Sequence, residues 1–273
     1  MPASAPRRPG PARLGPAAAA AAIAVVTAAC AGAFRPPAGP GTPAPAGDAA
    51  WRAAFSHCAD ARVIRAELGL SGRIAGQRVA GVTVGTAVDG ARALGLEARV
   101  SSKLLFRLAG EAGAATLLLA DDNRVVTAPA EDIVDALVGV KLSPARWIAL
   151  VSGCVSRDER ASRIEQHGDV LTVTTGDAVV YLQQREGHWT PRAGAFEGFS
   201  VDYPRYRDGW PAELTIRSDA GRSPAVTLKF DVRVIEINPT LPPAVFQMPV
   251  PPDATPMSLA ELRKAGPLRG EER

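Results

Sequence analysis

The sequence of 273 residues is poor in the side chains that usually carry enzyme chemistry. Its three histidines, His57, His167 and His188, do not stand at the spacings of a zinc site. The GxSxG, GxxxxGK and GxGxxG patterns of nucleophile and phosphate-binding sites are also missing. A catalytic triad assembled from scattered residues stays an alternative. We nevertheless predict no enzyme, no catalytic residue, no metal and no cofactor.

The first residues have the layout of a secretory signal. Arg7, Arg8 and Arg13 precede an uncharged, alanine-rich stretch of 16 residues from Leu14 to Ala29. A membrane-spanning helix needs about 20 apolar residues, so this stretch is short for one. A basic start, an apolar centre and small residues at the end instead predict a signal peptide over residues 1–29.

Loss of the signal would remove the excess of positive charge. The whole chain carries 31 basic and 28 acidic residues, and residues 1–29 contain three arginines and no acid. The remaining chain then has 28 of each, with no net charge to attract a polyanion. We therefore expect no nucleic-acid partner.

The chain contains only three cysteines, and the first follows the signal directly. Cys30 comes after Thr27, Ala28 and Ala29, which resembles the lipobox of bacterial lipoproteins, whose cysteine is lipidated and becomes the mature N-terminus. Thr27 departs from the aliphatic residue usual there. We predict lipidation of Cys30; the alternative is an ordinary signal peptide with an incidental cysteine.

With Cys30 lipidated, Cys58 and Cys154 would be the two remaining cysteines, in an oxidising compartment that favours disulfides. This arrangement predicts a disulfide bond between them. Because only the fold can bring their Cα atoms within bonding reach, two buried free thiols remain the alternative.

The rest of the chain divides by composition. Residues 30–49 are rich in proline, alanine and glycine, which predicts a tether. Residues 50–252 show apolar alternation in short runs and predict one β-rich domain. Residues 253–273 predict a short helix, Ser258–Ala265, and a charged or disordered end.

Two short helices interrupt the strands in the stretch "PAEDIVDALVGVKLSPARWIALVSGC". The first has acids in its opening turn and ends at Gly139. The second opens with Ser143 as N-cap and Pro144 as first helical residue, and ends at Gly153. Both are strongly apolar, so we expect them to lie against an apolar surface.

These helices, the strand pattern, Cys30 and the ending "DGWPAELTIRS…VTLKFDVRVIEINPTLPPAVFQMPVPP" together resemble the lipoprotein-localisation (LolA/LolB-like) family. The likeness covers about residues 60–250. It is stronger with the anchored outer-membrane receptors of the family than with its soluble carriers. It implies an α+β, mainly β fold: an incomplete antiparallel β-barrel covered by short helices, with an apolar cavity for acyl chains.

The resemblance also implies roles for individual residues. Leu104 or Leu105 would tip a loop that enters the membrane. Apolar side chains of the helices would form a lid, namely Ile133, Leu137, Trp147, Ile148 and Leu150. Apolar side chains of the strands would line the lipid cavity, namely Leu68, Leu70, Val82, Val84, Leu94, Leu96, Phe106, Leu117, Leu119, Leu214, Ile216, Leu228, Phe230 and Val232.

The function that the resemblance implies is binding of lipid or lipoprotein acyl chains and their transfer into the outer membrane. The expected partners are acylated lipoprotein or lipid cargo, the outer-membrane bilayer reached through lipidated Cys30, and a soluble periplasmic lipoprotein carrier. The protein would be lipid-anchored in the outer membrane and face the periplasm. A structural or assembly lipoprotein with a filled barrel and no cargo is the alternative.

Overall fold

A computed structural model describes residues 33–155, 160–176, 178–185, 187–221 and 224–268. The predicted signal peptide and Cys30 lie outside these residues. From Ala33 onward the chain forms one compact unit that contains the whole described sheet, its core and both remaining cysteines, as an independently folding domain does. In the described ranges, no helix has the length and apolar character to cross a bilayer.

Most of the described chain belongs to one fifteen-stranded sheet. The strands in chain order are β1 (Thr42–Pro43), β2 (Val63–Ile74), β3 (Gln77–Asp89), β4 (Ala93–Val100), β5 (Lys103–Glu111), β6 (Ala114–Leu119), β7 (Arg124–Ala128), β8 (Arg163–His167), β9 (Val170–Thr174), β10 (Ala178–Arg185), β11 (His188–Phe196), β12 (Phe199–Arg207), β13 (Trp210–Ser218), β14 (Val226–Ile237) and β15 (Thr255–Pro256).

The sheet consists of two antiparallel meanders joined side by side. Strands β2 to β7 pair in chain order, β8 to β14 do the same, and β14 returns to pair with β2. Strands β7 and β8 are not paired with each other, so the barrel stays open. The predicted fold class, a mainly β fold with an incomplete antiparallel barrel and short covering helices, is confirmed.

Alternation of apolar and polar residues gives the sheet an apolar inner face. In β14, Leu228, Phe230 and Val232 are buried, and a neighbour such as Lys229 is half-buried. Val234 continues the sequence alternation but is 49% exposed. The register of β14 against β2 shifts between Val232 and Val234, and such a bulge reverses which side chains face inward.

Within the described ranges, four α-helices accompany the sheet. They are α1 (Gly47–Ala54), α2 (Ala130–Val138), α3 (Pro144–Ser152) and α4 (Leu259–Ala265). Helices α2 and α3 connect β7 to β8, and a 3₁₀ turn over Ser56–Cys58 follows α1.

The ends of α2 and α3 lie where the sequence predicts them. The Ser143 hydroxyl accepts a hydrogen bond from the backbone N–H of Arg146 at 3.2 Å, and Pro144 is the first helical residue. Gly139 and Gly153 follow the two helices with φ of 76° and 72°. Residues other than glycine adopt this left-handed conformation only at a steric cost, so the glycines end the helices.

Short terminal strands cover both open edges of the sheet. β1 pairs with β8, and β15 pairs with β7. Unpaired strand edges invite aggregation, so these additions protect the sheet. The predicted tether is therefore not free throughout: Phe34 also contacts the Tyr181 ring, with 5.0 Å between the ring centroids.

The proline-rich run after β14 crosses the outer face of the sheet. The Asn238 side chain accepts hydrogen bonds from the backbone N–H groups of Arg62 and Val63 at the start of this run. Further along, a Cβ at Gly95 would lie 2.9 Å from the backbone oxygen of Val245, so only glycine permits this crossing. The run carries the chain to residues 255–268, which we call the C-terminal segment.

Cys58 and Cys154 form a disulfide, with Cα atoms 5.6 Å apart, and the predicted pairing is present. The bond joins the 3₁₀ turn after α1 to the residue after Gly153. It thereby holds the C-terminal end of α3 against the domain.

Replacing both Cys58 and Cys154 by alanine should lower the free energy of unfolding by about 2–4 kcal/mol, because the bond closes a long loop in the unfolded chain. Urea denaturation of the unit from Ala33 onward measures this loss. Reductant should lower the wild-type midpoint and leave that of the double variant unchanged. A wild-type midpoint insensitive to reductant would contradict the prediction.

Candidate functional site

An apolar cavity of about 40 Å³ lies between the inner face of the sheet and the covering helices. Every residue that lines it is apolar. A cavity without hydrogen-bond donors or acceptors can select a guest only by its shape and its lack of polarity. A water molecule there would find no partner, so the space suits hydrocarbon rather than solvent.

The sheet supplies one wall of the cavity. Neighbouring strands place inward-facing residues opposite one another, as Leu70 stands opposite Phe230 and Ile216 opposite Leu228. Eight of the fourteen predicted cavity residues line the wall, namely Leu70, Val84, Leu94, Leu96, Phe106, Ile216, Leu228 and Phe230. The other six are buried in the same core without reaching the cavity, namely Leu68, Val82, Leu117, Leu119, Leu214 and Val232.

The cover supplies the opposite wall. Of the predicted lid residues, Leu137 and Trp147 line the cavity, and Ile133, Ile148 and Leu150 are buried elsewhere in the core. Sequence reasoning missed five lining residues of the cover, namely Val134, Val138, Val140, Leu142 and Leu268.

Some of the missed residues carry a signal in the sequence. Val134 and Val138 are four positions apart and share a helix face with Leu137. Val140 and Leu142 alternate with Lys141 in the connection between the two helices. Leu268 has no such signal, because a single leucine in a charged tail belongs to no periodic pattern.

Trp147 fixes α3 against the sheet. Its indole N–H donates to the Thr86 hydroxyl at 2.8 Å, and both residues are buried. The indole also meets the Phe230 ring edge-on, with centroids 5.5 Å apart. This bond satisfies the single polar atom of the indole and gives the ring one orientation in the cavity wall.

Tyr203 makes a second attachment to α3. Its hydroxyl donates to the backbone oxygen of Leu150 at 3.1 Å in the core. Burial raises the pKa of Tyr203 well above its usual value, so the hydroxyl keeps its proton and remains a donor. Together with the disulfide at Cys154, these bonds make α3 the fixed half of the cover.

Helix α2 is attached differently. Its Asp135 carboxylate pairs with Arg263 of α4 at 2.8 Å, and Lys141 pairs with Glu131 at 3.1 Å. Among the described residues, no side-chain hydrogen bond joins α2 to the inner face of the sheet. Apolar contacts, surface ion pairs and one backbone hydrogen bond, from the Ala130 N–H to the Ala112 oxygen at 2.9 Å, hold this half of the cover. Surface ion pairs contribute little to stability.

The C-terminal segment lies beside α2. Helix α4 begins with a capping box, in which the Ser258 hydroxyl accepts from the backbone N–H of Glu261 and the Glu261 carboxylate accepts from that of Ser258. Arg124 of β7 also donates to Glu261, at 2.8 Å. The Ser258 backbone bond, the Arg124 bond and the Ser258 hydroxyl lower the pKa of Glu261 to about 2.

The structure corrects the membrane-loop prediction. Leu104 and Leu105 belong to β5, are half-buried, and follow a two-residue turn at Ser101 and Ser102. A register shift of β5 against β4 breaks the alternation here, so Leu105 packs against the core. The two-residue turn leaves no loop to project, and its tip carries serine instead of leucine.

One group of potential metal ligands occurs among the described residues, namely His57, Cys58 and Cys154. Both sulfurs are consumed in the disulfide, and a metal ligand has to be a thiolate. His57 lies beside the Trp210 ring, and partial burial lowers its pKa. These groups are not part of the cavity lining.

No protein-family model and no curated protein sequence matches the chain. Its fold is similar to several solved structures. A LolA superfamily protein from Nitrosomonas europaea is 10% identical, with 74% of this chain and 95% of that one covered and a TM-score of 0.48. A putative outer membrane lipoprotein-sorting protein domain from Vibrio parahaemolyticus is 11% identical, with coverages of 73% and 96% and a TM-score of 0.44.

LprF from Mycobacterium bovis is 11% identical, with 78% of this chain and all (100%) of that one covered and a TM-score of 0.30. Identities and TM-scores this low do not establish a family. A conclusion about function therefore has to rest on the cavity and its cover.

Replacing Thr86 by valine should lower the free energy of unfolding by about 1–3 kcal/mol, because the buried indole N–H of Trp147 loses its acceptor. Urea denaturation measures the loss. Thr116→Val is the matched control, since its hydroxyl meets that of Thr127 at the surface, and it should cost less than about 0.5 kcal/mol. Equal losses in the two variants would show that the buried bond contributes nothing.

The Glu261 carboxyl should titrate near 2 instead of 4.5, which ¹³C chemical shifts of its side chain can follow. Because folding lowers this pKa, the stabilisation of α4 by the carboxylate is complete above 4.5 and is lost as the pH falls towards 2. Arg124→Gln should raise the pKa of Glu261, because it removes one of the three hydrogen-bond donors to the carboxylate. A wild-type midpoint near 4.5 would rule out the capping interaction in solution.

Proposed function

We propose that this domain binds the acyl chain of a lipid or lipoprotein between its sheet and its cover, and releases the chain into a membrane. The observation that supports this is a cavity with a wholly apolar lining under a cover whose two halves are held differently. A fixed α3 preserves the wall while α2 moves. Binding and release of this kind require no catalytic residue, and we propose no reaction.

The cavity has to widen for such a ligand. At about 40 Å³ it has room for a few water molecules at most, since one water molecule needs about 10–15 Å³ of such space. An engineered cavity of about 150 Å³ takes up benzene, and a chain of about sixteen carbons needs several times that space. The described conformation is thus the closed one, and displacement of α2 and the C-terminal segment would open it.

The energetics permit loading and unloading without a nucleotide. Burial of each methylene gains about 0.8 kcal/mol, so a sixteen-carbon chain gains on the order of 12 kcal/mol on leaving water. This gain can drive displacement of a cover that apolar contacts and surface ion pairs hold. A bilayer offers the chain the same gain and requires no opening of the protein. Release into the membrane is therefore downhill.

We further propose that lipidated Cys30 anchors the protein in the outer membrane, with the domain facing the periplasm. Ala31, in place of aspartate after the lipidated cysteine, is consistent with that destination by resemblance to bacterial lipoproteins. A soluble periplasmic lipoprotein carrier would be the delivery partner. A single acyl chain binds a membrane only marginally, so stable anchoring requires more than one chain on Cys30.

The small volume of the cavity favours a second candidate, a structural or assembly lipoprotein whose barrel is filled by its own side chains. In that case α2 and the C-terminal segment form a permanent part of the core. The two candidates differ in whether the cover opens to an acyl chain, which a binding measurement decides.

Native mass spectrometry of the unit from Ala33 onward, incubated with 11-(dansylamino)undecanoic acid, should show one bound chain and enhanced dansyl fluorescence. Leu137→Asp should abolish binding, because a bound acyl chain would leave the new carboxylate without water or a hydrogen-bond partner. Leu214→Ala, in the core outside the cavity, should keep binding within about twofold. Absence of binding by the folded wild-type unit would support the filled barrel.

A further inference from the structure

One side chain separates the closed cavity from an open groove. Leu268 lines the apolar cavity and also lines a groove of about 910 Å³ at the surface. No other residue lines both spaces among those that the structure describes. Leu268 is only 5% exposed, so its side chain fills the position between them.

The groove lies at the end of the sheet where three hairpins turn. Gly76 and Gln77 come from the β2–β3 turn, Val100 and Lys103 flank the β4–β5 turn, and Asp121 belongs to the β6–β7 turn. The C-terminal segment completes the rim. The groove thus lies at one end of the incomplete barrel, and Leu268 borders both the groove and the cavity.

The backbone before Leu268 directs the leucine into this position. Gly266 ends α4 in the left-handed conformation, with φ of 51°, and its N–H donates to the backbone oxygen of Leu262. The ring of Pro267 then fixes its own φ, and Leu268 follows with its side chain buried. Leu262 is fully buried and anchors α4, so Leu268 lies at the end of an anchored arm.

Apart from the buried side chains of Leu262 and Met257, the arm is held by bonds that can be broken and remade. The Arg263–Asp135 and Arg124–Glu261 pairs are surface ion pairs, and β15 contributes only two residues to the sheet. The disulfide, in contrast, holds the other side of the cover at Cys154. Displacement of the arm therefore leaves the disulfide and the fixed helix intact.

We infer that the groove is the entrance of the cavity and that an incoming acyl chain takes the place of the Leu268 side chain. The inference rests on the proposed function and adds to it the route of the ligand and the residue that competes with it. The first methylenes of the chain occupy the apolar position that Leu268 fills in the closed state. The polar end of the ligand then remains in the groove, among the hairpin turns.

Replacement of Leu268 by alanine tests this directly in the unit from Ala33 onward. Stopped-flow fluorescence with 11-(dansylamino)undecanoic acid gives the association rate, and equilibrium titration gives the affinity. Leu268→Ala should raise both by about tenfold, because the ligand no longer has to displace a buried leucine. A tenfold change in affinity corresponds to about 1.4 kcal/mol.

Leu117→Ala is the matched control. Leu117 is also buried, at 0% exposure, and lines neither the cavity nor the groove. It should change neither value by more than about twofold. Leu268→Trp supplies the opposite change, since a larger side chain at the same position should slow association.

The outcomes separate the inference from the proposed function. If the wild-type unit binds the ligand and Leu268→Ala binds it with the same rate and affinity, the entrance at Leu268 is overturned. Acyl binding by the domain is then still supported. Equal acceleration by Leu117→Ala would also overturn the entrance at Leu268, because general loosening of the core would then explain the effect. Binding by neither the wild type nor Leu268→Ala would overturn both.

Discussion

The structure depends on burial of an apolar face that the sheet cannot bury by itself. Strands β7 and β8 do not pair, so the barrel has an open side and its inner face would meet water. The chain between these two strands supplies α2 and α3 as the cover. Apolar contact between cover and sheet is thus the main favourable term, and it is non-directional. A non-directional contact leaves the exact position of the cover adjustable.

Directional bonds restrict that freedom on one side only. Helix α3 is held by the Trp147–Thr86 and Tyr203–Leu150 hydrogen bonds and by the disulfide at Cys154. Helix α2 is joined by an ion pair to α4, which belongs to the C-terminal segment. Surface ion pairs contribute little to stability, and the apolar contacts of α2 can be exchanged for apolar contacts with a guest. The same cover can therefore keep the core intact and admit a guest.

Local sequence patterns predicted the structure correctly where neighbouring residues decide it, as at the ends of α2 and α3. They failed at β-bulges. Val234 and Leu105 both read as members of a regular alternation, yet a register shift turns Val234 outward and brings Leu105 against the core. A bulge depends on pairing with another strand, and the pattern of one strand does not contain that information. The leucine-tipped loop, which the family resemblance implied, is absent because the pairing of β4 with β5 extends to the two-residue turn.

The sequence by itself determined the limits of α2 and α3 and, away from the β-bulges, the apolar face of the strands. Helix caps, left-handed glycines and two-residue alternation act over a few residues, so they can be recognised from the sequence alone. Only the tertiary structure decided which buried side chains border the cavity, how small the cavity is, and that Leu268 closes it. Free volume is what remains after side chains from distant strands, helices and the C-terminal segment have packed together. No local sequence pattern specifies this free volume.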